Sequence, residues 1–142
     1  MGETCAVGIK TTATDDGVRF EATTSGKSYR SLNYHRSGGG RLKSLWCVRR
    51  HEEFELFCAA DESGWSDSSG FWSFKDQTRS ELGTAGERMA FFPEKAPSAD
   101  DWHGFPLFLT PALRPATELT KRWLADGVIR FATQKKMLRG KV

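Results

Sequence analysis

Three histidines, His35, His51 and His103, are the side chains in this sequence best suited to moving protons near neutral pH. Acid–base cleavage of a phosphodiester requires two proton-transfer groups and a cation near the phosphate. His35 stands beside Tyr34 and Arg36 and near Arg41, and His103 follows Trp102. If folding joins these segments, His103, His35 and Arg36 would form a metal-independent ribonuclease or toxin-like site. The opposing reading is structural. In Asp101-Trp102-His103-Gly104-Phe105-Pro106 the two aromatics pin a loop to the core, and glycine and proline set its turn. A structural His103 would hydrogen-bond a backbone carbonyl or a carboxylate such as Asp100 or Asp101.

A second chemistry is recognition of a polyanion. Tyr29, Arg30, Tyr34, Arg36, Arg41 and Lys43 interleave rings with cations. That is the composition of a surface on which bases stack and phosphates are tracked. Trp102 and His103 would extend it, and Lys135, Lys136 and Arg139 add a C-terminal basic group. The segment Gly38-Gly39-Gly40-Arg41 would let main-chain N–H groups approach a phosphate. Its default role is a connector.

Other chemistries lack their residues. The zinc-helix pattern needs a second histidine four residues after the first, and His51 is followed at that position by Glu55. No P-loop, dinucleotide fingerprint or G-x-S-x-G elbow is present. Cys5, Cys47 and Cys58 are odd in number and form no C-x-x-C pair, and Cys47 and Cys58 read as small buried apolar groups. No cofactor and no metal are expected.

Charge is segregated along the chain. Residues 26–50 hold seven basic and no acidic side chains, and residues 51–101 hold four basic and twelve acidic ones. Residues 102–142 hold eight basic and two acidic side chains. The basic blocks either pair with the acidic one or converge on one positive face. Apolar runs such as Met89 to Phe92 are too short to span a bilayer, and residues 1–25 lack the basic start and apolar stretch of a signal peptide. A cytoplasmic, non-membrane protein is therefore expected.

The elements that must position these residues fit one domain spanning 1–142, a length that buries about two-thirds of the unfolded surface. Asp15-Asp16-Gly17 predicts a hairpin between the 6–14 and 18–24 segments. Residues 44–49 and 54–60 read as a second hairpin with 50–53 as its loop, because Phe54, Leu56 and Cys58 alternate with Glu55, Phe57 and Ala59. Strands are predicted over 71–75 and 88–92, then an exposed loop over 94–101. Pro115 opens a helix whose stripe is Ala116, Leu119, Trp123 and Leu124, ended by Gly127. A short basic helix over 132–139 follows, with Met137 and Leu138 turned inward. The pair has the outline of a helix-turn-helix, although a reading helix needs greater length. The expected fold is α+β: an antiparallel sheet of about five strands with one or two C-terminal helices.

The run Trp102-His103-Gly104-Phe105-Pro106, followed by Trp123, Gly127-Val128-Ile129 and Arg139-Gly140-Lys141, resembles the tail of small uncharacterised bacterial proteins. That resemblance implies no fold, activity or site. The residues themselves point to a non-enzymatic protein binding single-stranded nucleic acid or an acidic protein, with the histidine nuclease as the alternative.

Overall fold

The computed structural model describes residues 9–36, 44–76 and 81–142. The fold is α+β, as expected, but its strands form two antiparallel sheets rather than one. The first sheet has the order β1 (Lys10–Thr14), β2 (Gly17–Glu21), β3 (Tyr29–Leu32). The predicted hairpin is present, with Asp15 and Asp16 as its two-residue turn. A short 3-10 turn over Asn33–His35 leaves the end of β3.

The segment read as a second hairpin is helix α1 (Arg50–Ser63). Alternation of Phe54, Leu56 and Cys58 is genuine, but a second period overlies it. Glu53, Leu56, Phe57 and Ala60 recur at helical spacing, and all are buried. Residues 50–63 contain no glycine, proline or β-branched side chain, and they are rich in glutamate and alanine. That composition favours a helix over a strand. Glu52 reaches back to accept from the Arg49 N–H at 2.8 Å, covering a donor that the first turn leaves open. Gly64 stops the helix at φ 69°, a left-handed conformation that costs glycine nothing.

The second sheet has the order β4 (Ser66–Asp67), β5 (Gly70–Phe74), β6 (Met89–Pro93), β7 (Phe105–Leu107). Its central strands are apolar on both faces, so the sheet is the middle layer of the molecule. One face carries Phe71, Ala90 and Phe92 and packs with Phe54, Phe57, Tyr29, Phe20, Trp46 and Trp102. The other carries Trp72, Phe74, Met89, Phe91 and Leu107 and packs under Leu119, Trp123, Ile129 and Met137. These last residues belong to α2 (Thr117–Ala125), α3 (Phe131–Leu138) and the turn between them.

The C-terminal helices follow the expected outline. Trp123 is fully buried and Leu119 nearly so, whereas Ala116 is exposed and Leu124 half-buried. Met137 is buried, but Leu138 faces outward. Of the cysteines, Cys47 is free and exposed rather than buried, and the buried Cys58 is disulfide-bonded rather than a thiol.

Candidate functional site

Of the ring-and-cation segment of the first basic block, Tyr29, Arg30 and Arg36 are held within the fold. Tyr29 is 0% exposed, and its hydroxyl donates to Glu53, itself fully buried on α1. Ser31 Oγ donates to the same carboxylate at 2.7 Å, as does Arg36 through Nη2 at 2.7 Å. Burial raises the Glu53 carboxyl above its ordinary range, although Tyr29, Arg36 and Ser31 all stabilise its ionised form. Burial, then the Glu53 charge, holds Tyr29 protonated. Arg36 also donates to the Val48 carbonyl at 2.7 Å. Lys27 pairs with Asp61 at 2.8 Å. Neither Tyr29 nor Arg36 is therefore a surface contact, and Trp102, only 7% exposed, is a core ring packed on Phe57 and Phe71. Arg41, Lys43 and the Gly38-Gly39-Gly40 loop lie outside the described residues.

The C-terminal basic group behaves differently. Lys135, Lys136, Arg139 and Lys141 are exposed, and none forms an ion pair among the described residues. Lys135 and Lys136 share the outward side of α3 with Phe131, which is 63% exposed and carries the Lys135 ammonium 5.5 Å from its ring centroid, and Arg139 and Lys141 follow the helix end. Leu138 adds a second exposed apolar group. The inward side, Thr133, Gln134 and Met137, is buried. One carboxylate fixes this helix. Asp76, just past β5, accepts from the Arg130 N–H and from Thr133 Oγ1, each at 2.8 Å, at the start of α3. The Arg130 guanidinium adds contacts at 3.1 Å. Burial alone would raise the Asp76 carboxyl, but the Arg130 and Thr133 hydrogen bonds and the Arg130 charge bring it down to about 2. Nothing in the sequence links Asp76 to a segment more than fifty residues away, so only the fold reveals it.

A third grouping sits where the two sheets meet. Trp102 joins the first sheet through a parallel bridge to Tyr29, and three residues later Phe105 begins β7 of the second sheet. Gly104 between them has no room for a side chain, since a Cβ there would lie 2.2 Å from Phe92 Cδ1. This joint brings His103 against His35. Their rings are nearly parallel, 11° apart, with centroids separated by 6.3 Å. His35, 9% exposed, also stacks on Phe105 at 5.1 Å and meets the edge of Tyr34 at 5.1 Å. Tyr34 itself is 49% exposed.

His103 borders an open cleft of about 230 Å³ whose other walls are Arg30, Leu32, Ala99, Asp100 and Asp101. Burial lowers its imidazole below the ordinary value, which favours the neutral ring at pH 7. Arg30 donates to Asp101 at 2.9 Å and to Asp16 at 3.1 Å, and Arg19 holds the other oxygen of Asp101 at 2.8 Å. Burial opposes ionisation of Asp101, yet Ser28, Arg19 and Arg30 together pull its carboxyl below the ordinary range. The His35 and His103 rings are thus adjacent, and Arg30, not Arg36, lines the cleft with His103. Among the described residues no group of three or more His, Cys, Asp or Glu is placed to hold a metal ion, and no helix is long and apolar enough to cross a membrane.

No family model, curated protein or solved structure matches this chain.

Proposed function

We propose that this chain is a polyanion-binding protein whose recognition surface is the outward face of α3, with single-stranded nucleic acid as the preferred partner. The observation that supports this reading is the contrast between the two basic blocks. Lys27, Arg30 and Arg36 are held by Asp61, Asp101 and Glu53, whereas Lys135, Lys136, Arg139 and Lys141 have no acidic partner among the described residues. Unneutralised cations beside an exposed ring suit a phosphate backbone with splayed bases. α3 has eight residues, too few for a groove-reading helix, so sequence-independent binding is the expected mode. The interface is narrower than the sequence suggests, because Lys27, Arg30 and Arg36 are paired on the side of α1 and the first sheet, across the middle sheet from α3.

Fluorescence anisotropy with single-stranded RNA and DNA oligonucleotides tests this. Micromolar binding is expected at low salt, weakening steeply as salt rises through counterion release. Reversing charge at Lys135, Lys136 and Arg139 together should abolish it. Binding that survives this variant places the nucleic-acid contact elsewhere on the protein, and absence of binding at low salt moves the assignment to an acidic protein partner. The cytoplasmic location expected from composition requires a reduced Cys58 in the cell, because the cytosol keeps thiols reduced. In the structure Cys58 is disulfide-bonded, so acid-quenched alkylation of cell extracts bears directly on location.

A further inference from the structure

We infer that β1 is the contact through which this chain pairs with a second copy of itself, joining two three-stranded sheets into one about a two-fold axis at Thr12. The inference is independent of the α3 surface. A strand at the margin of a sheet presents unpaired N–H and C=O groups that template the addition of another strand. Among the described residues the other sheet margins are closed or blunted. Trp102 bridges the outer edge of β3, β4 has only two residues, and β7 carries Pro106, whose nitrogen cannot donate. β1 has none of these protections. It contains no proline, its five residues pair with β2 without a bulge, and Lys10, Thr11, Thr12 and Ala13 are all exposed. Among the described residues nothing pairs with its outer side.

The turn fixes which groups of β1 are open. Thr14 and Gly17 flank a two-residue turn and exchange both main-chain bonds, and by alternation Thr12 does the same with Arg19 and Lys10 with Glu21. The Asp16 carbonyl, one residue before Gly17, accepts from the Asn33 N–H at 2.8 Å on the β3 side, as this alternation requires. Thr11 and Ala13 therefore aim their N–H and C=O groups at the open edge. An antiparallel copy related by a two-fold axis at Thr12 sets Thr11 of each chain against Ala13 of the other, and every one of these outward groups finds a partner. Thr12 meets Thr12 of the second copy across the axis, in the closer pairing where two threonines are favourable neighbours. Lys10 falls opposite Thr14 of the second copy, beside its exposed Asp15, so each end of the contact brings a cation to a carboxylate. A second copy supplies that acidic end by symmetry. Symmetry also closes the assembly at two, because pairing consumes both open edges. So short a ladder falls below the roughly 1,200 Å² of a stable interface, and a dissociation constant of about 0.1 mM is expected.

Sedimentation equilibrium of the full chain from about 10 µM to about 1 mM tests this, and a monomer–dimer equilibrium with nothing larger is expected. Thr12→Lys sets like charges against each other across the axis, and should weaken association by about tenfold or more at unchanged melting temperature in dilute solution. Ala13→Pro removes an outward N–H that β2 does not use and should have the same effect. A chain that stays monomeric over the whole range, or a dimer undiminished in either variant, overturns the inference. Amide hydrogen exchange needs no variant. The N–H groups of Thr11 and Ala13 should exchange more slowly as concentration rises, whereas that of Thr12, already bonded to β2, should be protected throughout. Exchange at Thr11 and Ala13 that is independent of concentration also overturns it. The charge-reversed α3 protein should dimerise like the parent, so failure of α3 binding and failure of this contact read out separately.

Discussion

Asp76 shows how much one side chain can decide here. Its carboxylate has no exposed surface, and four polar contacts hold the entry to α3. Its folded-state value of about 2 lies below the unfolded 3.8. The stabilisation is therefore fully present above pH 4 and is lost as pH falls toward 2, amounting to about 2 kcal/mol. Asp76→Asn should melt lower than the parent at pH 7, and the difference should shrink as urea titrations move from pH 4 to pH 2. A constant difference would mean that the carboxylate charge contributes nothing. Glu53 pulls the opposite way, since its raised carboxyl makes the ionised form costly above the ordinary carboxylate range. At this scale the sequence was partly legible. Trp123 is visible as a core ring because its partner Leu119 sits four residues earlier, a purely local signal. Trp123→Ala should cost about 3–5 kcal/mol in the same titrations. Tyr29 and Arg36 look like surface groups in the sequence, and the fold holds them inward, for the converse reason. Their partner Glu53 is remote in sequence, and composition carries no mark of a contact made across the fold.

Elements were legible where one periodicity was present and illegible where two coincided. The β1–β2 hairpin announces itself through a turn that only a few residues can make. Helix α1 was hidden because Phe54, Leu56 and Cys58 satisfy a strand pattern while Glu53, Phe57 and Ala60 complete a helical one. Counting only apolar residues discards Glu53, the buried acid that completes the helical face. The joint between the sheets was half legible: the dense run 101–106 stands out, but not that it belongs to both sheets. Gly104 is the test of that joint. A methyl group there meets Phe92 Cδ1 at 2.2 Å and the Phe91 carbonyl oxygen at 2.7 Å, so backbone or ring must shift. Gly104→Ala should destabilise by about 1–3 kcal/mol, the usual cost of overpacking. It should also displace the Trp46 indole, whose Nε1 donates to the Gly104 carbonyl at 3.1 Å, and change its near-ultraviolet dichroism. A variant with the parental melting point and spectrum would show that the two strands are not held this tightly.

At the scale of the molecule, β5 and β6 belong to both hydrophobic clusters. Along each strand successive side chains enter opposite clusters: Phe71 and Phe92 on the α1 side, Trp72 and Phe91 on the α2–α3 side. Neither cluster can lose these strands without exposing the other. The ion pairs reinforce the link, because Arg36–Glu53 and Lys27–Asp61 tie the first sheet and its connections to α1. Arg30–Asp101 ties the first sheet to the chain leading into β7. Lys27, Arg30 and Arg36 therefore serve cohesion, and segregated charge along a sequence is a poor guide to segregated charge on a surface once layers are stacked. One cooperative unfolding unit across the described layers is the consequence. Differential scanning calorimetry should give a single transition whose calorimetric and van't Hoff enthalpies agree, the signature of two-state unfolding. Truncating either cluster, by Phe54→Ala on one side or Trp123→Ala on the other, should move that one transition downward without splitting it. The two losses should be close to additive, because the residues share no partner. Two transitions in either variant, with one holding its parental midpoint, would show that the middle sheet does not couple the layers and that α2 and α3 melt on their own.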